Sequence, residues 1–126
     1  MSDEGIGRWV EPHRVHRRAF VDPTVFELEM ARVFSRTWVY VGHESEVATP
    51  GSYKATTLGT QPVLLTRDTA GALHVFINAC RHRGVLLADD HTRGTCKQLV
   101  CPYHGWSFDM AGRLTAVPMR DRQGKA

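Results

Sequence analysis

The sequence predicts a mainly β protein, a small antiparallel sandwich or barrel with metal-binding loops, preceded by an N-terminal arm and a helix. Three observations predict it. From Pro50 onward, short β-prone runs alternate with turn residues at close intervals. Before Pro50 the clearest period is helical, with Phe26, Met30 and Phe34 recurring every four residues. Two mixed cysteine–histidine arms, Cys80-Arg81-His82 and Cys101-Pro102-Tyr103-His104, stand at the ends of predicted strands.

The elements follow in order. Residues 1–20 are polar and charged with little period, which predicts an extended arm. Asp22 is a natural N-cap and Pro23 suits the first helical position. The helix they open carries an apolar face through Phe26, Met30, Val33 and Phe34, expected to pack into the core. Trp38-Val39-Tyr40-Val41 is β-prone and Gly42 ends it. Gly51 opens a strand over 52–58, Gly59-Thr60 turns, and 62–67 returns. Asp68-Thr69-Ala70-Gly71 is a hairpin turn into a strand over 72–78, which runs into the first arm. A strand over 95–100 feeds the second arm, and 106–109 pairs with 113–117 across the turn Asp109-Met110-Ala111-Gly112. The organisation expected is an arm and helix over 1–48, the β domain over 49–118 and a polar tail over 119–126.

Bulk properties narrow the function. The length of 126 residues is that of one domain, enough to bury roughly two-thirds of the unfolded chain's surface. No apolar run approaches the roughly 20 residues that span a bilayer, so no membrane partner is expected. The acidic, polar start Met1-Ser2-Asp3-Glu4-Gly5 is not a secretory signal, and a cytoplasmic location is expected. Three cysteines make no disulfide framework, which fits that compartment. Cys96 lies outside the arms and is expected to be a small buried hydrophobe. The net charge of +3 is mild. The basic run His13-Arg14-Val15-His16-Arg17-Arg18 is short and lacks a stacking platform, so nucleic acid is not expected.

The arms carry the chemistry. Each offers one thiolate and one imidazole, and together they complete a four-ligand set: Cys80, His82, Cys101 and His104. Zinc modules usually place ligands in like pairs, two cysteines and then two histidines. One of each per arm suits a centre with unlike ends, one iron taking both thiolates and the other both imidazoles. That is the ligation of a Rieske [2Fe–2S] cluster. Two ferric ions, two sulfides, two thiolates and two neutral imidazoles sum to no net charge. An all-cysteine cluster is more negative, so histidine ligation raises the potential, into a range of about −150 to +300 mV. The second imidazole nitrogen can face water or a partner and couple electron transfer to a proton.

Neighbouring residues fit the same reading. Gly84 and Gly105 let the backbone approach a cluster closely, and their amides can donate to sulfur. Pro102 stiffens the second arm. Tyr103 and Trp106 either shield a cluster or simply pack. Arg81 and Arg83 are docking or ion-pairing residues, since a guanidinium stays protonated. His13, His16, His43, His74 and His91 lack metal-spaced partners, and His43 is expected to make a structural hydrogen bond.

Cys80-Arg81-His82-Arg83-Gly84 and Cys101-Pro102-Tyr103-His104-Gly105-Trp106 resemble the two cluster-binding motifs of the Rieske family. Rieske proteins of respiratory cytochrome complexes add a bridging cysteine to each arm, at positions that resemble Arg83 and Tyr103 here. The stretch from Val15 through Asp22-Pro23, Trp38 to Glu46 and Pro50-Gly51 is similar to the start of the large (α) subunit of aromatic-ring-hydroxylating dioxygenases. The resemblance implies a Rieske-type iron–sulfur fold, with Cys80 and Cys101 on one iron and His82 and His104 on the other. It implies electrons received from a ferredoxin or flavin reductase, possible association with other oxygenase α and β subunits, and a role in aromatic hydrocarbon catabolism. That family holds a mononuclear iron in a following domain, by two histidines five positions apart and a carboxylate. No histidine pair here has that spacing, so the chain is read as an oxidoreductase component that does not hydroxylate substrate alone. It is read as truncated before that domain, with a stand-alone Rieske ferredoxin as the alternative.

Overall fold

The computed structural model describes residues 3–118, so the polar tail expected at 119–126 lies outside the described residues. The chain divides between Val39 and Tyr40 into two compact units.

The first unit is not the extended arm expected over 1–20. It contains α1 (Asp3–Ile6), a 3-10 turn at Gly7–Trp9, a two-residue ribbon of β1 (Val10–Glu11) with β2 (Arg14–Val15), and α2 (Arg18–Val21). Local pairing replaces the missing hydrophobic period. Arg14 grips the Glu11 carboxylate with two hydrogen bonds of 2.8 and 2.9 Å. Arg18 lies 4.9 Å over the Trp9 ring and bonds Asp22 at 2.9 Å. Two cations of the basic run are thus spent within the unit.

Asp22 caps α3 (Pro23–Glu29) as expected, accepting from the Thr24 amide at 3.0 Å and from the Thr24 hydroxyl, with Pro23 in the first turn. The expected core face is not buried. Val25 is the buried residue of the helix, while Phe26, Val33 and Phe34 are exposed. The helix widens into a π turn at Met30–Phe34, where Ser35 donates to the Met30 carbonyl at 3.2 Å. A π turn takes an extra residue, so a four-residue repeat running through it no longer marks one face. Trp38-Val39-Tyr40-Val41 forms no strand, and Trp38 and Tyr40 are exposed. β-propensity without a neighbouring strand to pair with does not make a strand.

The second unit is β. A 3-10 turn at Glu44–Val47 is closed by His43, whose ring accepts from the Ser45 amide while Glu46 accepts from the His43 amide. Glu46 also binds Lys54 at 2.9 Å and Arg93 at 2.6 Å, which ties this turn to two strands. The first sheet holds β3 (Ser52–Leu58), β4 (Gln61–Arg67), β5 (Leu73–Ile77) and β6 (Arg93–Thr95). Its order is β5-β4-β3-β6, antiparallel throughout. The second sheet holds β7 (Leu99–Val100), β8 (Ser107–Phe108) and β9 (Leu114–Ala116) in that order.

The single strand expected over 95–100 is divided between the sheets, its first part in β6 and its last in β7. Cys96 turns the corner, donating its amide to Gly51 at 2.9 Å. Gly51 has a φ of +83°, and a Cβ there would stand 2.7 Å from the Cys96 carbonyl oxygen. Strands that switch sheets are how a sandwich turns its corners.

The turns at Asp68 and Asp109 are built alike. In each, Oδ1 of the aspartate accepts from amides two and four residues on: Ala70 and Ala72 at 2.9 and 2.8 Å, Ala111 and Arg113 at 2.9 and 2.8 Å. The core joins both sheets and both arms: Ala55, Leu64, Cys80, Leu99, Cys101, Phe108 and Met110 form one buried cluster. Burial of such apolar area is the main favourable term in folding.

Candidate metal centre

Each arm leaves the end of a strand and makes the same closed turn. In the first, Gly84 donates to the Cys80 carbonyl at 2.8 Å and Cys80 donates to Val85 at 2.8 Å. In the second, Gly105 donates to the Cys101 carbonyl at 3.0 Å and Cys101 donates to Trp106 at 2.8 Å. The glycines close these turns at φ of +72° and +70°, where a side chain is strained. Added bulk at Gly84 would meet nothing within 4 Å, so the requirement there is backbone conformation.

Within these matching frames the cysteine is the first residue and the histidine lies two positions on in one arm, three in the other. The thiols sit at the base, Cys80 and Cys101 each 3% exposed, while His82 and His104 are exposed at the tips. Both thiols belong to the core cluster. The two imidazole rings stand 4.7 Å apart. The four residues singled out in the sequence therefore come together, thiols inward and imidazoles outward. Burial works against ionising Cys101, but the amides of Tyr103 and His104 and the Cys80 thiol outweigh it and hold its pKa below the usual thiol value. Such donors suit a thiolate that carries a metal.

Among the described residues, no three or more His, Cys, Asp or Glu side chains gather round one point to hold a single ion. A [2Fe–2S] centre asks for two protein donors per iron, with sulfides supplying the rest, and this set of two thiols and two imidazoles fits it.

The aromatic neighbours lie on the imidazoles. Trp106 stacks on His82 with centroids 4.7 Å apart and planes 5° from parallel. Tyr103, itself exposed, tilts over His104 at 3.8 Å. Arg81 and Arg83 are exposed and, among the described residues, form no ion pair.

The remaining candidates are placed elsewhere. His43 makes its structural bond, His74 bonds Asp68 at 2.8 Å, and His91 lies 3.3 Å from Asp90. His16 accepts from the Arg18 amide and His13 is exposed. Cys96 is half-buried rather than buried, packed on the core with its sulfur 3.8 Å from that of Met110, and burial pushes its thiol pKa up.

Sequence reasoning missed Asn78. It is 1% exposed, two residues before Cys80. Its side chain donates to the Ala88 carbonyl at 2.7 Å and accepts from the Leu87 and Ala88 amides at 2.9 and 3.2 Å. That fastens the segment after the first arm to the strand before it. A carboxamide following the apolar run Val75-Phe76-Ile77, just ahead of the first arm, was the available signal.

Comparison with known proteins agrees with this geometry. The family model for the Rieske [2Fe-2S] domain matches residues 37–125. The chain is 40% identical over 118 residues to chlorobenzene dioxygenase subunit alpha of Cupriavidus sp. (strain PS12), covering 94% of this chain and 25% of that one. It is similar to the solved naphthalene 1,2-dioxygenase of Rhodococcus sp. bound to indole, at a TM-score of 0.81 and 32% identity, over 96% of this chain and 28% of that one. A quaternary ammonium Rieske monooxygenase solved in connection with carnitine oxidation and inter-subunit electron transfer matches at a TM-score of 0.72 and 30% identity, over 83% of this chain and 28% of that one. The chain spans about a quarter of the length of the curated relatives it matches. It is homologous to the N-terminal part of ring-hydroxylating dioxygenase α subunits. On motif, fold and likeness together, this chain belongs to the Rieske [2Fe-2S] domain family, whose cofactor is the Rieske-type [2Fe–2S] cluster.

Proposed function

We propose that this chain is the electron-transfer part of a ring-hydroxylating dioxygenase α subunit. Cys80 and Cys101 hold one iron of the cluster and His82 and His104 the other. The bound cluster supplies one-electron storage. The observation that carries the reading is the meeting of two arms, with both thiols in the core and both imidazoles at the surface.

The chain's residues divide the work. The core around Leu64, Leu99 and Phe108 keeps water from the thiols. The amides of Tyr103 and His104 stabilise thiolate at Cys101. The exposed imidazoles offer an edge for exchange with a ferredoxin or flavin reductase on one side and a mononuclear-iron oxygenase domain on the other. Arg81 and Arg83 flank His82 with unpaired positive charge, which favours partners with acidic surfaces. Residues 1–48 are proposed to serve association with oxygenase α and β subunits, and 49–118 to carry the cluster. The substrate class proposed from the dioxygenase relatives is aromatic, within hydrocarbon catabolism in the cytoplasm. Among the described residues, no helix is long and apolar enough to cross a membrane.

Anaerobic production of the chain with iron and sulfide tests the cluster. About two irons and two sulfides per chain, with uptake of one electron on reduction, are expected. A colourless protein with one zinc overturns the proposal. Hydroxylation of an arene by this chain and a reductase, with no other oxygenase subunit present, overturns the restriction to electron transfer.

A further inference from the structure

Building on the proposed ligation, we infer that Trp106 is a positioning residue that fixes the ring plane of His82 across the two arms. Trp106 belongs to the second arm and His82 to the first. Their planes lie 5° from parallel at 4.7 Å, an aligned stack between residues 24 positions apart. The two ends of the contact differ in firmness. Trp106 packs against the buried core, and its carbonyl is fixed by the Cys101 amide at 2.8 Å. His82 is exposed and sits on a tip with a single residue between it and Cys80. Left alone, such a side chain rotates among several rotamers. The indole face leaves it one plane, with the nitrogens at the ring edge free to ligate.

The other imidazole is held differently. His104 is covered by its own neighbour Tyr103, tilted by 35°, and Tyr103 is itself 56% exposed. The lock on His82 therefore comes from a core-anchored residue of the opposite arm, whereas the cover on His104 is local and loose. The orientation of an imidazole plane about its iron governs overlap with the metal orbitals, and an outer contact that sets it tunes the centre as well as steadying it.

The test compares Trp106→Leu with Trp106→Phe, one keeping apolar character without a ring and the other keeping an aromatic ring. In the cluster-loaded chain, Trp106→Phe should keep the g values of the reduced centre and its midpoint potential, while Trp106→Leu should shift and broaden the signal. Iron loss to a chelator should quicken in Trp106→Leu by roughly 2- to 10-fold, the range an aromatic pair is worth. Both variants behaving as native, or both departing alike, overturns the inference. The metal-free chain gives a second readout that does not depend on loading. His82 ring protons should be displaced upfield by the indole ring current in the native chain, displaced less in Trp106→Phe, and undisplaced in Trp106→Leu. Undisplaced His82 protons in the native chain overturn the inference. Failure of the native chain to take up iron and sulfide counts against the proposed function instead and leaves the ring-current result standing.

Discussion

Asn78→Ala tests how the first arm is held. The side chain makes three hydrogen bonds to the backbone at Leu87 and Ala88, and Asn78 is 1% exposed. Alanine strands two amides and one carbonyl in a place water reaches poorly. At a net value of about 1 kcal/mol per bond, the loss is about 3 kcal/mol, or roughly two orders of magnitude in the folding constant. With a urea dependence of about 1–3 kcal/mol per molar, the midpoint should fall by about 1–3 M. Amide exchange at Leu87 and Ala88 should quicken with it. Because Val85, in the same segment, accepts from the Cys80 amide, iron uptake should fall as well. Asn78→Asp should not rescue: it keeps both acceptor contacts but turns a carboxylate toward the Ala88 carbonyl. A loss below about 1 kcal/mol, with both amides still protected, would refute the brace.

Three further outcomes are expected. Replacing His82 or His104 by cysteine adds negative charge at one iron, so any cluster that assembles should have a lower midpoint potential by redox titration; an unchanged or raised value would show the charge account wrong. Cys80→Ser and Cys101→Ser should abolish iron binding, measured as iron per chain, and the ligand-linked part of the folding free energy should go with it. For pH, Glu46 has its pKa lowered chiefly by the Lys54 hydrogen bond and then by the His43 amide, and Asp68 chiefly by His74 and then by the Ala72 amide. Depressed carboxyl values mean that the unfolded chain binds more protons in that range. The stability is present above the ordinary carboxylate values of about 4 and is lost as pH falls through the folded ones. Melting temperatures should decline below about pH 5, and Glu46→Gln should flatten the decline; a Glu46→Gln profile parallel to native would exclude Glu46 as a contributor.

What was legible in the sequence was what local chemistry determines. Asp22-Pro23 starts a helix wherever it stands ahead of a helical run. The Asp-x-Ala-Gly turns at 68 and 109 close on their own aspartates, so both hairpins were readable. The two arms were readable as a matching pair because their cysteine, histidine and trailing glycine spacing is local, and each closes its own turn. What was not legible depends on partners distant in the chain or on a change of period. The helix face failed at the π turn, which no residue between Met30 and Phe34 announces. The run at 95–100 failed because its corner is set by Gly51, more than forty positions earlier. Trp106 was visible as an aromatic beside the site, but its stack on His82 exists only once the two arms face each other. The β-prone run at 38–41 shows the converse, a local preference with no strand to satisfy it.

The placement of the thiols links metal binding to folding in a definite order. Cys80 and Cys101 lie in the same cluster as Leu64 and Phe108. As neutral thiols they pack there as small hydrophobes, so the two sheets can close around them without metal. As thiolates without iron they would put two like charges into that cluster, and an unpaired buried charge costs several kcal/mol. At Cys101 the amides of Tyr103 and His104, with the Cys80 thiol, outweigh burial and favour the thiolate. Uptake of iron therefore acts on arms the sheets have already brought together. The same burial leaves the imidazole edge as the exposed part of the ligand set. Under the proposed function a partner's electron must enter and leave there, where Trp106 holds one ring and Tyr103 covers the other.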